Sequence, residues 1–137
     1  MDERKRHAAG MKVRRTILGD PYVERVVDSA SATTAEFQDL ITRYAWGEIW
    51  TRPGLDHRTR RILVIGTLLA LQQWDQFRIH VRGALDEGGF SVGDLQEIIL
   101  QQAVYCGAPT AHTAMRLVRD ILEESAPAAP RSTPSTT

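Results

Sequence analysis

Apolar residues recur along this chain at spacings of three and four, the period of an α-helix, and no segment alternates as a half-buried strand would. From Asp2 to Leu18 the repeat is weak, with Met11, Val13, Ile17 and Leu18 among many basic residues, and Gly19 stops it. Asp20-Pro21 restarts the chain. The carboxylate can cap a helix and the proline fits a first turn, after which Tyr22, Val23, Val26 and Val27 share one face. Thr33 and Glu36 have capping-box spacing, and Phe37, Leu40, Ile41, Tyr44 and Ala45 follow at helical intervals. Arg52 precedes Pro53-Gly54, which breaks that helix.

Asp56 can cap the next helix, over roughly 57–72. Its Ile62, Leu63, Val64, Ile65, Leu68, Leu69 and Leu71 make it apolar nearly all round, so it is either central or buried by a second subunit. Gly66 inside it costs about 1 kcal/mol relative to alanine, which a close helix crossing would account for. A helix over about 74–87 ends at Gly88-Gly89. Another starts from Ser91 and Asp94 and lines one side with Leu95, Ile98, Ile99 and Gln102; after Gly107-Ala108-Pro109 a last one runs over about 110–124. From Ser125 onward Pro, Ala, Ser and Thr dominate, the composition of a disordered tail over 125–137. The pattern predicts one all-α domain over 1–124, without internal repeat.

Composition narrows the function. A chain of 137 residues can bury a core without staples. Seventeen basic and 17 acidic residues give no net charge to draw it to nucleic acid or an anionic membrane. The run from Ile62 to Leu71 is too short for a bilayer, which needs about 20 residues, and the charged N-terminus lacks the apolar stretch of a signal peptide. The single cysteine, Cys106, rules out an internal disulfide and a cysteine-based zinc site, and suits a reducing cytoplasm. His7, His57 and His112 have no metal-ligand company, and no glycine-rich phosphate loop occurs, so no metal is expected.

Chemistry concentrates at residues 44–56. Trp46 and Trp50 flank Glu48, and Arg52 lies four residues beyond that carboxylate, close enough to pair with it on a helix. A shielded arginine offers a fork to a substrate carboxylate; an exposed ion pair worth little fits the spacing equally well. Further on, Gln73, Gln76 and His80 share a helix face. Imidazole exchanges a proton near neutral pH, yet spacing alone favours a histidine on a solvated surface. Arg58, Arg60 and Arg61 read as the wet side of an amphipathic turn, and Cys106 as a core residue.

Trp46-Gly47-Glu48-Ile49-Trp50-Thr51-Arg52-Pro53-Gly54-Leu55, with Thr59-Arg60 after it, resembles the signature of the carboxymuconolactone decarboxylase family. His80-Val81-Arg82-Gly83-Ala84, Gln102-Ala103-Val104-Tyr105-Cys106-Gly107-Ala108-Pro109 and the stretch from Gly10 to Asp20 are similar to the same family. The likeness covers nearly everything but the tail. It implies an alkylhydroperoxidase D-like helical domain of about six to seven helices, assembled as a homo-trimer or homo-hexamer. Redox members of that superfamily carry a Glu, a Cys-x-x-Cys pair and a His, positions that fall here on Arg61, Gln73, Gln76 and His80. Only the histidine carries over, so dithiol peroxidase chemistry is excluded. The decarboxylase branch often has acidic residues before that histidine, where this chain keeps Asp75, and an Asn in the last helix, where it has His112.

The resemblance further implies loss of CO2 from γ-carboxymuconolactone, giving the enol-lactone of β-ketoadipate in protocatechuate breakdown. No cofactor is needed, because the ring is its own electron sink. On that reading His80 delivers the proton and Arg52 holds a substrate carboxylate. Glu48 orients His80 or Arg52 or relays the proton, while Trp46 and Trp50 dry the pocket. The expected partner is a small anionic lactone. The competing readings are a decarboxylase for another lactone and a non-catalytic oligomeric binding protein on the same fold.

Overall fold

Each predicted break falls between two helices in the computed structural model, which describes residues 2–125. The exception is that Ala108 and Pro109 of the last expected break already belong to the final helix, so Gly107 alone separates it from the one before. The order is α1 (Glu3–Leu18), α2 (Asp20–Asp28), α3 (Ala32–Ile41), a π-helical segment (Thr42–Ile49), α4 (His57–Ala70), α5 (Trp74–Asp86), α6 (Val92–Cys106) and α7 (Ala108–Ser125). The all-α expectation of about six to seven helices is met by seven α-helices. The predicted tail lies outside the described residues except for Ser125, which ends α7.

Caps set several boundaries. Asp56 accepts from the Thr59 amide at the start of α4, and Ser91 and Asp94 exchange bonds in a capping box that opens α6. Two expected caps are corrected. The box that opens α3 is Ser31 with Thr34, because Ser31 is the last extended residue before the helix; Thr33 and Glu36 lie inside it. Gly19 rather than Asp20 precedes α2, and the Asp20 carboxylate instead accepts from Arg15.

The interior has two parts. Ile65 and Leu69 of α4, Phe77, Val81 and Ala84 of α5, Leu95, Ile98 and Ile99 of α6, and Leu117, Val118 and Ile121 of α7 form the larger core. Ile17 and Leu18 of α1, Val23 of α2 and Trp46 form the smaller one, against which Ile79 of α5 also packs. At about 1.5–3 kcal/mol per large side chain removed from water, both parts contribute heavily to stability. Helix α5 faces both, and His80 lies between its two packing surfaces.

Two apolar stripes do not go where periodicity alone would send them. Helix α3 has no buried residue, and Phe37 and Leu40 are exposed. Helix α4 is not central in the single chain: Ile65 and Leu69 enter the core while Ile62, Leu63 and Leu71 stay exposed. On α6, Leu100, Val104 and Tyr105 are exposed as well. Gly66 does mark a close approach, since the Gln102 side chain donates to its carbonyl across the α4–α6 contact at 3.0 Å.

Candidate functional site

The site begins with how α1 meets the π-helical segment. A π-helix closes its bonds over five residues, as from the Trp50 amide to the Ala45 carbonyl at 3.1 Å, and such turns cluster at functional sites. The wider turn buries Thr42, Trp46 and Gly47 together against α1. Gly10 and Gly47 meet there with no room for a side chain. A β-carbon on Gly10 would lie 1.9 Å from the Thr42 carbonyl oxygen, and one on Gly47 would lie 2.4 Å from that of Arg6. This backbone-to-backbone seat fixes the two indoles that follow.

Trp46 is buried and stacks on Trp50, with centroids 5.0 Å apart and planes 29° apart. His80, from α5, lies nearly parallel to both rings, 6.2 Å and 14° from Trp46 and 6.4 Å and 17° from Trp50. His57 at the start of α4 tilts against Trp50 at 6.2 Å, and its Nε2 is 3.2 Å from the Trp50 carbonyl oxygen. The structure therefore brings together three of the residues singled out from sequence, Trp46, Trp50 and His80, from elements 30 residues apart in the chain.

His80 is only 7% exposed, which corrects the expectation of a solvated surface histidine. Its supposed face-mates Gln73 and Gln76 are exposed and take no part. Nδ1 is buried without a hydrogen-bond partner. Burial, and after it the charge of Arg61, pushes the imidazole down from 6.5 to about 4, so at neutral pH it is uncharged. The linkage has a definite sign. Between pH 4 and 6.5 the unfolded chain binds a proton at this position that the folded chain refuses, so stability rises with pH across that window. On acidification from pH 6.5 to 4, His80 alone should cost roughly 3 kcal/mol. Urea denaturation at the two pH values checks this: His80→Gln should flatten the difference by about that amount.

Glu48 and Arg52 do not pair, contrary to the helix-spacing expectation. The chain leaves the helix at Trp50, and Glu48 instead takes Arg6 of α1 as its partner. Arg6 also holds Glu3 and lies over the Tyr44 ring. Arg52 is exposed; its carbonyl accepts from Arg60, and among the described residues its guanidinium forms no ion pair. Arg52, two residues after Trp50, is thus an exposed cation without an ion pair among the described residues, while Glu48 is already engaged and bonds neither His80 nor Arg52.

Two buried arginines escaped the sequence reading. Arg61 is buried, where an amphipathic turn would have left it wet, and donates to the carbonyls of Ile17 at 2.7 Å and Thr16 at 3.3 Å. Arg14 is buried against Gln38 and Thr42. The signal for Arg14 was available, because it falls on the i, i+4, i+7 line of Gly10, Arg14 and Ile17, the face that α1 buries. Of the other expectations, Arg58 is exposed and pairs with Asp94, and Cys106 packs partly buried against the larger core. No cluster of metal-ligating side chains occurs among the described residues.

Grooves of about 490 Å³ between α4 and α6, and of about 460 Å³ between α2 and α5, are not lined by the indoles or His80.

Residues 35–120, which include Trp46, Glu48, Trp50, Arg52 and His80, match the Carboxymuconolactone decarboxylase family. The chain belongs to that family. The resemblance read from the tryptophan and Arg-Pro-Gly segment is borne out. Among carboxymuconolactone decarboxylase relatives, the chain is 35% identical over 124 residues to the 4-carboxymuconolactone decarboxylase of Acinetobacter baylyi, covering 90% of this chain and 92% of that one. It is 37% identical over 115 residues to the nitrosuccinic acid decarboxylase of Metarhizium robertsii, covering 84% and 80%. A 48-residue 4-carboxymuconolactone decarboxylase sequence from Pseudomonas putida is 48% identical over its whole length. The family match begins after α1, so Arg6, Gly10 and Arg14 lie outside it. No described helix is long and apolar enough to cross a membrane.

Proposed function

We propose that the chain is a decarboxylase that needs no cofactor and acts on 4-carboxymuconolactone, yielding the enol-lactone of β-ketoadipate in the protocatechuate pathway. The observation that carries this is the stack of Trp46, Trp50 and His80 within the family match; Arg52, exposed two residues after Trp50, supplies a cation without an ion pair among the described residues. In the reaction the bond from the ring carbon to its carboxylate breaks and CO2 leaves. The electron pair moves through the adjacent double bond onto the lactone carbonyl oxygen as a dienolate. A proton then adds at the carbon next to that carbonyl, which leaves the enol-lactone double bond. The substrate supplies the electron sink; the protein must bind anions, exclude water and deliver one proton.

Arg52 holds the carboxylate that is retained, and the two indoles dry the face where the other departs. His80 is neutral before substrate arrives, and a docked anion beside it raises its proton affinity, so the substrate itself loads the proton that the ring passes on. Glu48, held by Arg6, fixes the π-helical segment that carries the indoles, a narrower role than orienting His80. Arg52→Lys keeps the charge but loses the fork. KM should rise about tenfold with kcat falling less; unchanged values would make Arg52 structural.

A second substrate is favoured by the fungal relative. A carboxylate on a carbon that bears a nitro group leaves a nitronate when CO2 departs, so nitrosuccinate also carries its own sink and places the same demands on the site. Side-by-side kcat/KM values for the lactone and for nitrosuccinate decide between them. Turnover of the nitro acid alone would replace the lactone reading, and turnover of neither would favour a binding protein.

The protein works in this account as a homo-trimer or homo-hexamer in the cytoplasm. Exposed Leu63, Leu71, Leu100, Val104 and Tyr105 support an assembled state, since apolar surface of this kind belongs at interfaces.

A further inference from the structure

Arg61 is a buried cation that the proposed reaction does not use. We propose that it is a positioning residue for His80: its guanidinium is a fixed positive charge set against the turn of α5 that carries the ring, where it adds to burial in opposing an imidazolium until an anion docks. This rests on the decarboxylation reading for its consequence in rate, but not for its effect on His80.

The geometry is specific. Arg61 reaches from α4 past α5 to the last carbonyls of α1, at Thr16 and Ile17. It passes through a gap left by two glycines, Gly83 in α5 and Gly88 just after that helix ends. A β-carbon on Gly83 would lie 3.4 Å from Nη1, and one on Gly88 would lie 2.8 Å from Nε. Gly83 is three residues beyond His80, which puts the gap on the adjacent turn of the same helix face.

The other charges on the elements around His80 are paired, turned elsewhere or exposed to solvent, as Arg52 is on the loop after the indoles. Glu48 of the π-helical segment is bound by Arg6 of α1, and Arg14 of α1 is turned to Gln38 and Thr42. On α5 itself, Arg78 and Arg82 both pair with Glu124 of α7. Asp75, in the first turn of α5, is exposed. His57 lies against Trp50. Glu87, at the end of α5, raises the proton affinity of Arg61 without forming an ion pair with it. The Arg61 guanidinium is bonded only to uncharged carbonyls, and after burial itself it is the one charged group that depresses the proton affinity of His80. A fixed cation there costs the free protein desolvation but is stabilised whenever an anion develops at the indole wall.

The test uses the full chain. His80 ring resonances, assigned by their loss in His80→Gln, are titrated by NMR in wild type, Arg61→Gln, Arg61→Met and Arg61→Lys without substrate. The neutral variants should raise the His80 midpoint by on the order of half a unit or more, while lysine keeps it near wild type. In parallel, kcat/KM should fall roughly tenfold in the neutral variants and less in lysine. A midpoint that does not move in a folded neutral variant overturns the proposal. So does failure of both neutral variants to fold, which would make Arg61 a brace for α1. If wild type turns over neither acid, the decarboxylation reading falls, and the midpoints still decide what Arg61 does to His80.

Discussion

His80→Gln should lose between about 10² and 10⁴ of kcat/KM while the protein stays folded. Glutamine can still donate a hydrogen bond from a similar place, but it cannot take up and release a proton near neutral pH. The folded state should tolerate it, since His80 is uncharged and its Nδ1 already lacks a partner, so no established bond is broken. Loss of turnover with an unchanged far-ultraviolet spectrum and a melting temperature within a few degrees of wild type would confirm that the ring acts in the reaction. Turnover within threefold of wild type would remove it from the mechanism, and the indoles alone would then have to account for catalysis.

Gly10→Ala should be the most destabilising single methyl addition in the chain. The new carbon would sit 1.9 Å from the Thr42 carbonyl oxygen and 2.8 Å from the Gly47 amide nitrogen, and backbone atoms of a packed helix cannot yield as a side chain can. Helix α1 must lift off the π-helical segment, and the burial of Ile17, Leu18 and Trp46 weakens together. A loss of at least about 3 kcal/mol is expected in urea denaturation. Because the same seat aims the indoles, the tryptophan near-ultraviolet signal should change too, and turnover should fall even where the variant remains folded. A stability within 1 kcal/mol of wild type would mean that α1 and the π-helical segment do not meet this closely.

Much of this fold was legible in the sequence. Gly19, Pro53-Gly54, Gly88-Gly89 and Gly107 each fall between helices as read, and Asp56 and Ser91 cap the helices they were expected to cap. What stayed hidden depends on which helix faces which. Periodicity finds an apolar stripe but not its partner, so the helical spacing of Phe37 and Leu40 did not show that both are exposed. Spacing placed Glu48 and Arg52 together because it assumed α-helical geometry through a stretch that is π-helical and then leaves the helix. The true partner, Arg6, is 42 residues away, a separation that local spacing cannot bridge.

The candidate site was legible in a different way. Motif resemblance singled out Trp46, Trp50 and His80, whereas physical reading of the histidine favoured solvent. That preference failed because Gln73 and Gln76 were taken as its environment, when α5 turns His80 against the indoles of another element. Arg61 was missed because three arginines within four residues read as a wet face. Only Gly83 and Gly88, one helix away, leave the space in which its guanidinium is buried.

The most direct measurement is CO2 release from 4-carboxymuconolactone by purified protein dialysed against a chelator, with the absorbance of the lactone followed in the same cuvette. The account predicts one CO2 for each lactone consumed, with the enol-lactone as product and a rate that added metal or cofactor does not change. Folded protein that releases no CO2 above the buffer blank from this lactone would contradict it.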